Sequence, residues 1–135
     1  MRFKTKHVVV TGGGSGIGRA IAIRFASEGA TIGLLGRRLN PLKDTLSNVR
    51  ALGGDGFALT CDIQNQVTVD QAFKEISLTN GPIDYMVANA GIGGSNEPGD
   101  HDRFIELVQT NLIGTYQTLR AVQPHLHDGI GHMVV

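Results

Sequence analysis

The chain has 135 residues, 19 of them glycine and one cysteine, enough for a single domain with its own core. Its 12 basic residues balance 12 acidic ones, which argues against a nucleic-acid footprint or attraction to acidic membranes and leaves small molecules as the expected partners. The lone cysteine excludes an internal disulfide framework, and the glycines lack the three-residue period of collagen.

The apolar stretch that follows the basic start is about three residues long before polar Thr11, too short for a signal or spanning segment. A cytoplasmic protein without a membrane partner is expected. Val8, Val9 and Val10 read as a strand covered on both faces. Ile17, Ala20, Ile21, Ala22 and Phe25 recur at helical intervals, with Gly29 as the stop. Residues 31–35 form the second strand. Asn40 before Pro41 predicts the next helix start, with Leu42, Leu46 and Val49 on one face and Gly53-Gly54 at its end.

Residues 57–61 suit a third strand. Val69, Phe73 and Ile76 mark the helix after it, and Gly81-Pro82 breaks that helix. Residues 83–88 form a fourth strand, followed by a glycine- and serine-containing loop over residues 91–99. One long helix is predicted from Phe104 to Val122, passing through Val108, Asn111, Leu112, Thr115 and Leu119, with Pro124 near its end. Met133, Val134 and Val135 look like a fifth strand cut short. Five strands alternating with four helices predict an α/β fold, a doubly wound parallel sheet of Rossmann type truncated after the fifth strand. Residues 1–135 would then be one dinucleotide-binding domain, incomplete at its C-terminus.

The segment from Thr11 to Gly18 reads Thr-Gly-Gly-Gly-Ser-Gly-Ile-Gly between the first strand and the first helix. Gly12 can turn sharply, Gly16 can admit a diphosphate to the backbone, and Gly18 can let the helix lie close to the sheet. The amide end of that helix then faces phosphate charge. Two other phosphate signatures fail. Gly12 and Gly14 are followed by Ile17 where a third glycine is needed. The phosphate-loop register reaches Gly18 but continues Arg19-Ala20 in place of Lys and Ser or Thr.

Thr11-Gly12-xxx-Gly16-x-Gly18, Asp62 after the third strand, Asn89-Ala90-Gly91 after the fourth and Asn111 in the following helix occur in one order. This set strongly resembles the classical short-chain dehydrogenase/reductase family, over about the first half of its domain. The resemblance implies that Gly12, Gly14, Ser15 and Ile17 surround the cofactor diphosphate, that Asp62 and Ile63 approach adenine, and that Asn89, Ala90 and Gly91 line the cofactor path. It gives Asn111 the task of holding a backbone kink and a water in a proton relay. Asp62 and the Asn-Ala-Gly run equally suit plain loop turns, and Asn111 a buried structural amide.

An acidic residue about twenty positions past the glycine turn normally bonds the ribose diol. Here Gly36-Arg37-Arg38 ends the second strand instead. Arg37 matches the family position that receives a 2′-phosphate, and Arg38 stands beside it, which favours NADP(H) over NAD(H). Ser15 weighs the other way, since NADP-preferring relatives often carry a basic residue there.

The resemblance further implies hydride transfer between the nicotinamide and a small carbonyl or alcohol substrate, in a homodimer or homotetramer. The family's serine, and its tyrosine and lysine, fall after Val135. Tyr85 and Tyr116 lack a lysine four positions on and are assigned to packing or interfaces. The alternative is a catalytically inactive NADP(H)-binding regulatory or scaffold domain. His125 and His127 lack the spacing of a metal pair, so no metal is assigned.

Overall fold

The computed structural model describes residues 1–94, Gly99 and 102–135. Five strands, β1 (His7–Thr11), β2 (Thr31–Gly36), β3 (Asp55–Thr60), β4 (Tyr85–Val87) and β5 (His132–Val134), form one sheet in the order β3-β2-β1-β4-β5. Every neighbouring pair is parallel. The connecting helices are α1 (Gly16–Ser27), α2 (Leu39–Ala51) and α3 (Gln66–Asn80). Between β4 and β5 run α4 (Phe104–Leu107), a π-helical segment (Val108–Gly114), α5 (Thr115–Val122) and a 3-10 turn (Gln123–His125). This is the doubly wound Rossmann-type sheet that the element order predicts. Residues 95–98 of the expected glycine-rich loop lie outside the described residues.

The two faces of the sheet are sorted by the period of the strands. Val8, Val10, Ile32 and Leu34 join Ala22, Ala26, Leu42, Leu46 and Val49 of α1 and α2 in one core. Val9, Leu35 and Met86 join Val69, Phe73 and Ile76 of α3 and Val122 of α5 in the other. Gly18, Ala22 and Ala26 are the buried residues of α1, a stripe of small side chains at intervals of four that lets the helix lie close to the sheet.

Several boundaries differ from the sequence reading. α2 begins at Leu39, with extended Arg38 before it and no side-chain cap. Asn40 is therefore inside the first turn, and Pro41 still fits because amides of the first turn have no helical partner to lose. The cap appears instead at α3, where the Asn65 side chain accepts bonds from the amides of Val67 and Thr68. β3 starts two residues early and ends before Cys61, although the Cys61 amide still donates to the Gly36 carbonyl at 2.8 Å. The predicted span 83–88 keeps only three residues as β4, and Ile83 makes an isolated bridge to Leu126.

The largest departure is the predicted long helix. A π-helical turn interrupts it, and each such turn takes an extra residue and rotates the face that meets the sheet. Phe104 is 59% and Leu112 66% exposed, while Thr118, Ala121 and Val122 are buried. Tyr116 is exposed; Tyr85 packs against Phe3, Phe25 and His132.

Candidate functional site

The winding of the sheet reverses between β1 and β4, and at such a point the loops at the strand C-termini part to leave a crevice. An open cleft of about 160 Å³ lies there. Thr11, Gly12, Gly14 and Ser15 form one wall, and Gly36, Arg37 and Arg38 the end beyond β2. Cys61, Asp62, Ile63 and Gln64 follow from the β3 end, with Ala90, Gly91, Ile92 and Thr110 opposite.

Three glycines of the turn have distinct physical duties. Gly12 has φ +65°, and a Cβ there would stand 2.9 Å from the Ala90 Cα. Gly16 has φ +51° with open space where a Cβ would go, so a ligand can reach the backbone. A Cβ on Gly18 would lie 2.2 Å from the Gly12 carbonyl oxygen and 2.5 Å from the Asn89 amide nitrogen. Ser15 precedes α1 in extended conformation, and its side chain makes no capping bond. The unpaired first amides of this twelve-residue helix, with the positive end of its dipole, suit an anion.

The turn is stitched to the loop after β4. Thr11 Oγ1 accepts from the amides of Asn89 and Ala90, both at 3.0 Å, and the Asn89 side-chain amide donates to the Thr11 carbonyl at 3.1 Å. On the other flank Arg19 donates to the Gly14 carbonyl at 2.8 Å and to Thr45 Oγ1 at 3.1 Å. Arg19 holds the loop from behind, so the place where a phosphate-loop lysine would reach forward is taken by a brace.

Of the residues proposed from sequence, Gly12, Gly14, Ser15, Arg37, Arg38, Asp62, Ile63, Ala90 and Gly91 line the cleft. Gly16, Ile17, Gly18, Asn89 and Asn111 are absent from its lining. Gly18 and Asn89 support the turn from beneath, and Ile17 is exposed in the first turn of α1. Asp62 Oδ1 accepts from the Gln64 amide at 3.0 Å, so its loop-turn role is real. Asn111 sits inside the π-helical segment. Its side chain is committed to Ile92, accepting from the amide and donating to the carbonyl, each at 2.8 Å.

Arg37 and Arg38 are exposed, and neither belongs to an ion pair among the described residues. No carboxylate among the described residues pairs with either at the β2 end of the cleft. Sequence reading missed Gln64, Thr110 and the brace Arg19. The first two meet across 46 positions of chain, a separation that no local pattern signals, and half-buried Arg19 is marked out only by its partners.

Cys61 lies in the cleft wall at the end of β3 and is buried. Burial pushes its thiol up from 9.0 to about 11; the Thr68 hydroxyl opposes this and the Asp62 charge adds to it. That cuts the thiolate near neutral pH about a hundredfold. Labelling of the native protein by iodoacetamide at neutral pH should therefore run about a hundredfold slower than labelling of free cysteine. A rate equal to the free thiol would contradict the buried assignment.

The short chain dehydrogenase family model matches residues 6–135. The chain belongs to the short-chain dehydrogenase family. It is 39% identical over 130 residues to a 3beta-hydroxysteroid dehydrogenase of Mediterraneibacter gnavus, covering 91% of this chain and 47% of that protein. Among solved structures, NAD+-bound xylitol dehydrogenase superposes with a TM-score of 0.86 at 30% identity, over 93% of this chain and 49% of the other. An actinorhodin polyketide ketoreductase with NADPH gives 0.81 at 29%, over 87% and 46%. The chain thus spans about half the length of these relatives. Membership places the chain in a family with a nucleotide-binding Rossmann-type fold, whose solved members include NAD+ and NADPH complexes. Among the described residues, no helix is long and apolar enough to cross a membrane.

Proposed function

We propose that residues 1–135 form the dinucleotide-binding portion of a cytoplasmic reductase that uses NADP(H), with NAD(H) the weaker ligand, on a small carbonyl or alcohol substrate. The observation that carries this reading is the pair of exposed guanidinium groups of Arg37 and Arg38 in the cleft wall, unpaired among the described residues and standing where a ribose-binding carboxylate would otherwise be. A guanidinium fork can bond two phosphate oxygens and balance their charge. Gly12, Gly14, Ser15, Gly16, Ile17 and Gly18 would hold the diphosphate, Asp62 and Ile63 the adenine, and Asn89, Ala90 and Gly91 the path toward the nicotinamide. The bound dinucleotide supplies the hydride chemistry.

Asn111 acts in this scheme by fixing the loop at Ile92. The substrate's oxygen proton falls to a serine, tyrosine and lysine in the remainder of a homodimeric or homotetrameric protein. The hydroxysteroid, xylitol and polyketide names of its relatives agree in one respect, an alcohol or ketone on a small molecule.

Arg37→Asp in the intact protein tests the cofactor assignment. Loss of two charge-assisted bonds is worth about 2 kcal/mol or more, so NADPH binding should weaken at least roughly thirtyfold while NADH binding changes little. Equal losses for both dinucleotides would overturn it.

A further inference from the structure

The two ends of the cleft are joined by a route that bypasses the glycine turn. The Gln64 side chain reaches from the loop after β3 and donates from Nε2 to Thr110 Oγ1 at 2.7 Å. Thr110 is 6% exposed, sits in the π-helical segment and immediately precedes Asn111. Asn111 in turn holds both backbone groups of Ile92. Gln64, Thr110 and Ile92 all line the cleft. A second contact fixes the same two elements: a Cβ on Gly114 would stand 2.8 Å from Ile63 Cγ1, so the loop lies tight against the helix.

We propose that Gln64 is a positioning residue which, through Thr110 and Asn111, ties the adenine end of the cleft to the Ile92 loop at its nicotinamide end. The argument rests on the dinucleotide reading of the cleft. Its chemistry is specific to this juxtaposition. The Ile63–Gly114 packing sets how close loop and helix lie, and the Gln64–Thr110 bond adds a directional tie that apolar packing does not supply. The Gln64 amide closes the chain of bonds, so adenine contact at Asp62 and Ile63 and placement of Gly91 and Ile92 become one ordered unit. A π-helical turn is a loosened stretch of helix that gains from such external support.

The test uses the intact protein and two ligands, NADPH with 2′,5′-ADP, or NADH with 5′-AMP, whichever pair the wild type binds more tightly. Gln64→Leu and Thr110→Val should each weaken the dinucleotide roughly three- to tenfold, the value of one hydrogen bond, while the adenosine fragment binds within about twofold of wild type. The double variant should lose no more than either single one, because both remove the same bond. Thr110→Ser keeps Oγ1 and should bind as wild type does.

Parallel losses of fragment and dinucleotide would overturn the proposal, since Gln64 would then merely shape the adenine loop. Additive losses, unchanged dinucleotide binding, or failure of Thr110→Ser to restore it would do so as well. A wild-type protein that binds neither dinucleotide would instead refute the function on which the proposal rests.

Discussion

Replacing Asp84 with alanine is expected to destabilise the fold by about 3 kcal/mol, read as a lowered midpoint in urea with an unchanged slope. Asp84 is 5% exposed and stands at the start of β4, at the end of the sheet opposite the cleft. Its carboxylate accepts from the His7 amide at 2.8 Å, from the His127 ring at 3.0 Å and from Lys6 Nζ at 3.2 Å. The His7 amide dominates the expected loss, because it is buried and would be left without a partner. The Lys6 and His127 side chains are substantially open to water, where an ion pair contributes little. Cofactor affinity should hardly change at such a distance from the cleft. A variant that melts like the wild type would show that water or Lys6 replaces the carboxylate without loss.

The same cluster makes the fold sensitive to acid in two steps. Burial lowers the His7 imidazole below its ordinary 6.5, against the raising effects of the Pro82 carbonyl and the Asp84 charge. Its Nε2 has no partner among the described residues. The unfolded chain therefore binds a proton at His7 more readily than the fold does, and stability falls as pH drops below 6.5 and is unaffected above it. Burial pushes the Asp84 carboxyl up, but the His7 amide, His127 and Lys6 together hold it below 3.8. Its contribution is complete above 3.8 and disappears as pH falls through the lower folded value. Asp84→Ala should abolish this second step and retain the first. Stability that rises from about pH 8 to pH 5 in the wild type would contradict the His7 assignment, and an unchanged acid limb below pH 3.8 in Asp84→Ala would contradict that of Asp84.

The parts of this molecule legible in its sequence are those fixed by short-range physics. Three consecutive valines had to be a strand buried on both faces, and the glycine spacing from 12 to 18 left few ways to turn from strand into helix. The place of Arg37 in the cleft wall was legible because it follows from the residue's position after the second strand. Long-range pairing was not legible. Asp84 falls inside the predicted strand 83–88 with nothing local to mark its role, and only the parallel pairing of β1 with β4 sets it against His7. The π-helical turn was hidden for a related reason. Residues 104–122 satisfy a helical period well enough, yet Ile63 pressing on Gly114 and Gln64 on Thr110 act from another element.

Gly18→Ala sets two opposing effects against each other. Alanine inside a helix is favoured over glycine by roughly 0.5–1 kcal/mol. Against this, the new Cβ would stand 2.2 Å from the Gly12 carbonyl oxygen and 2.5 Å from the Asn89 side chain. Neither can step aside: one is backbone, and the other is held by its bond to the Thr11 carbonyl. Overpacking of this kind typically costs about 1–3 kcal/mol and moves the backbone. The clash therefore prevails, and α1 must lift from the sheet at its first turn, carrying the unpaired amides away from the cleft. Dinucleotide affinity should fall roughly a hundredfold, with a lowered Tm. Gly16→Ala separates the two consequences, because a Cβ at Gly16 meets no protein atom within 4 Å. Its left-handed backbone costs only about 1–2 kcal/mol, yet the methyl group occupies the space assigned to phosphate. Binding should therefore be lost with a change in Tm comparable to that at Gly18 but without displacement of α1. Wild-type affinity in Gly16→Ala would move the diphosphate away from this helix end, whatever happened at Gly18.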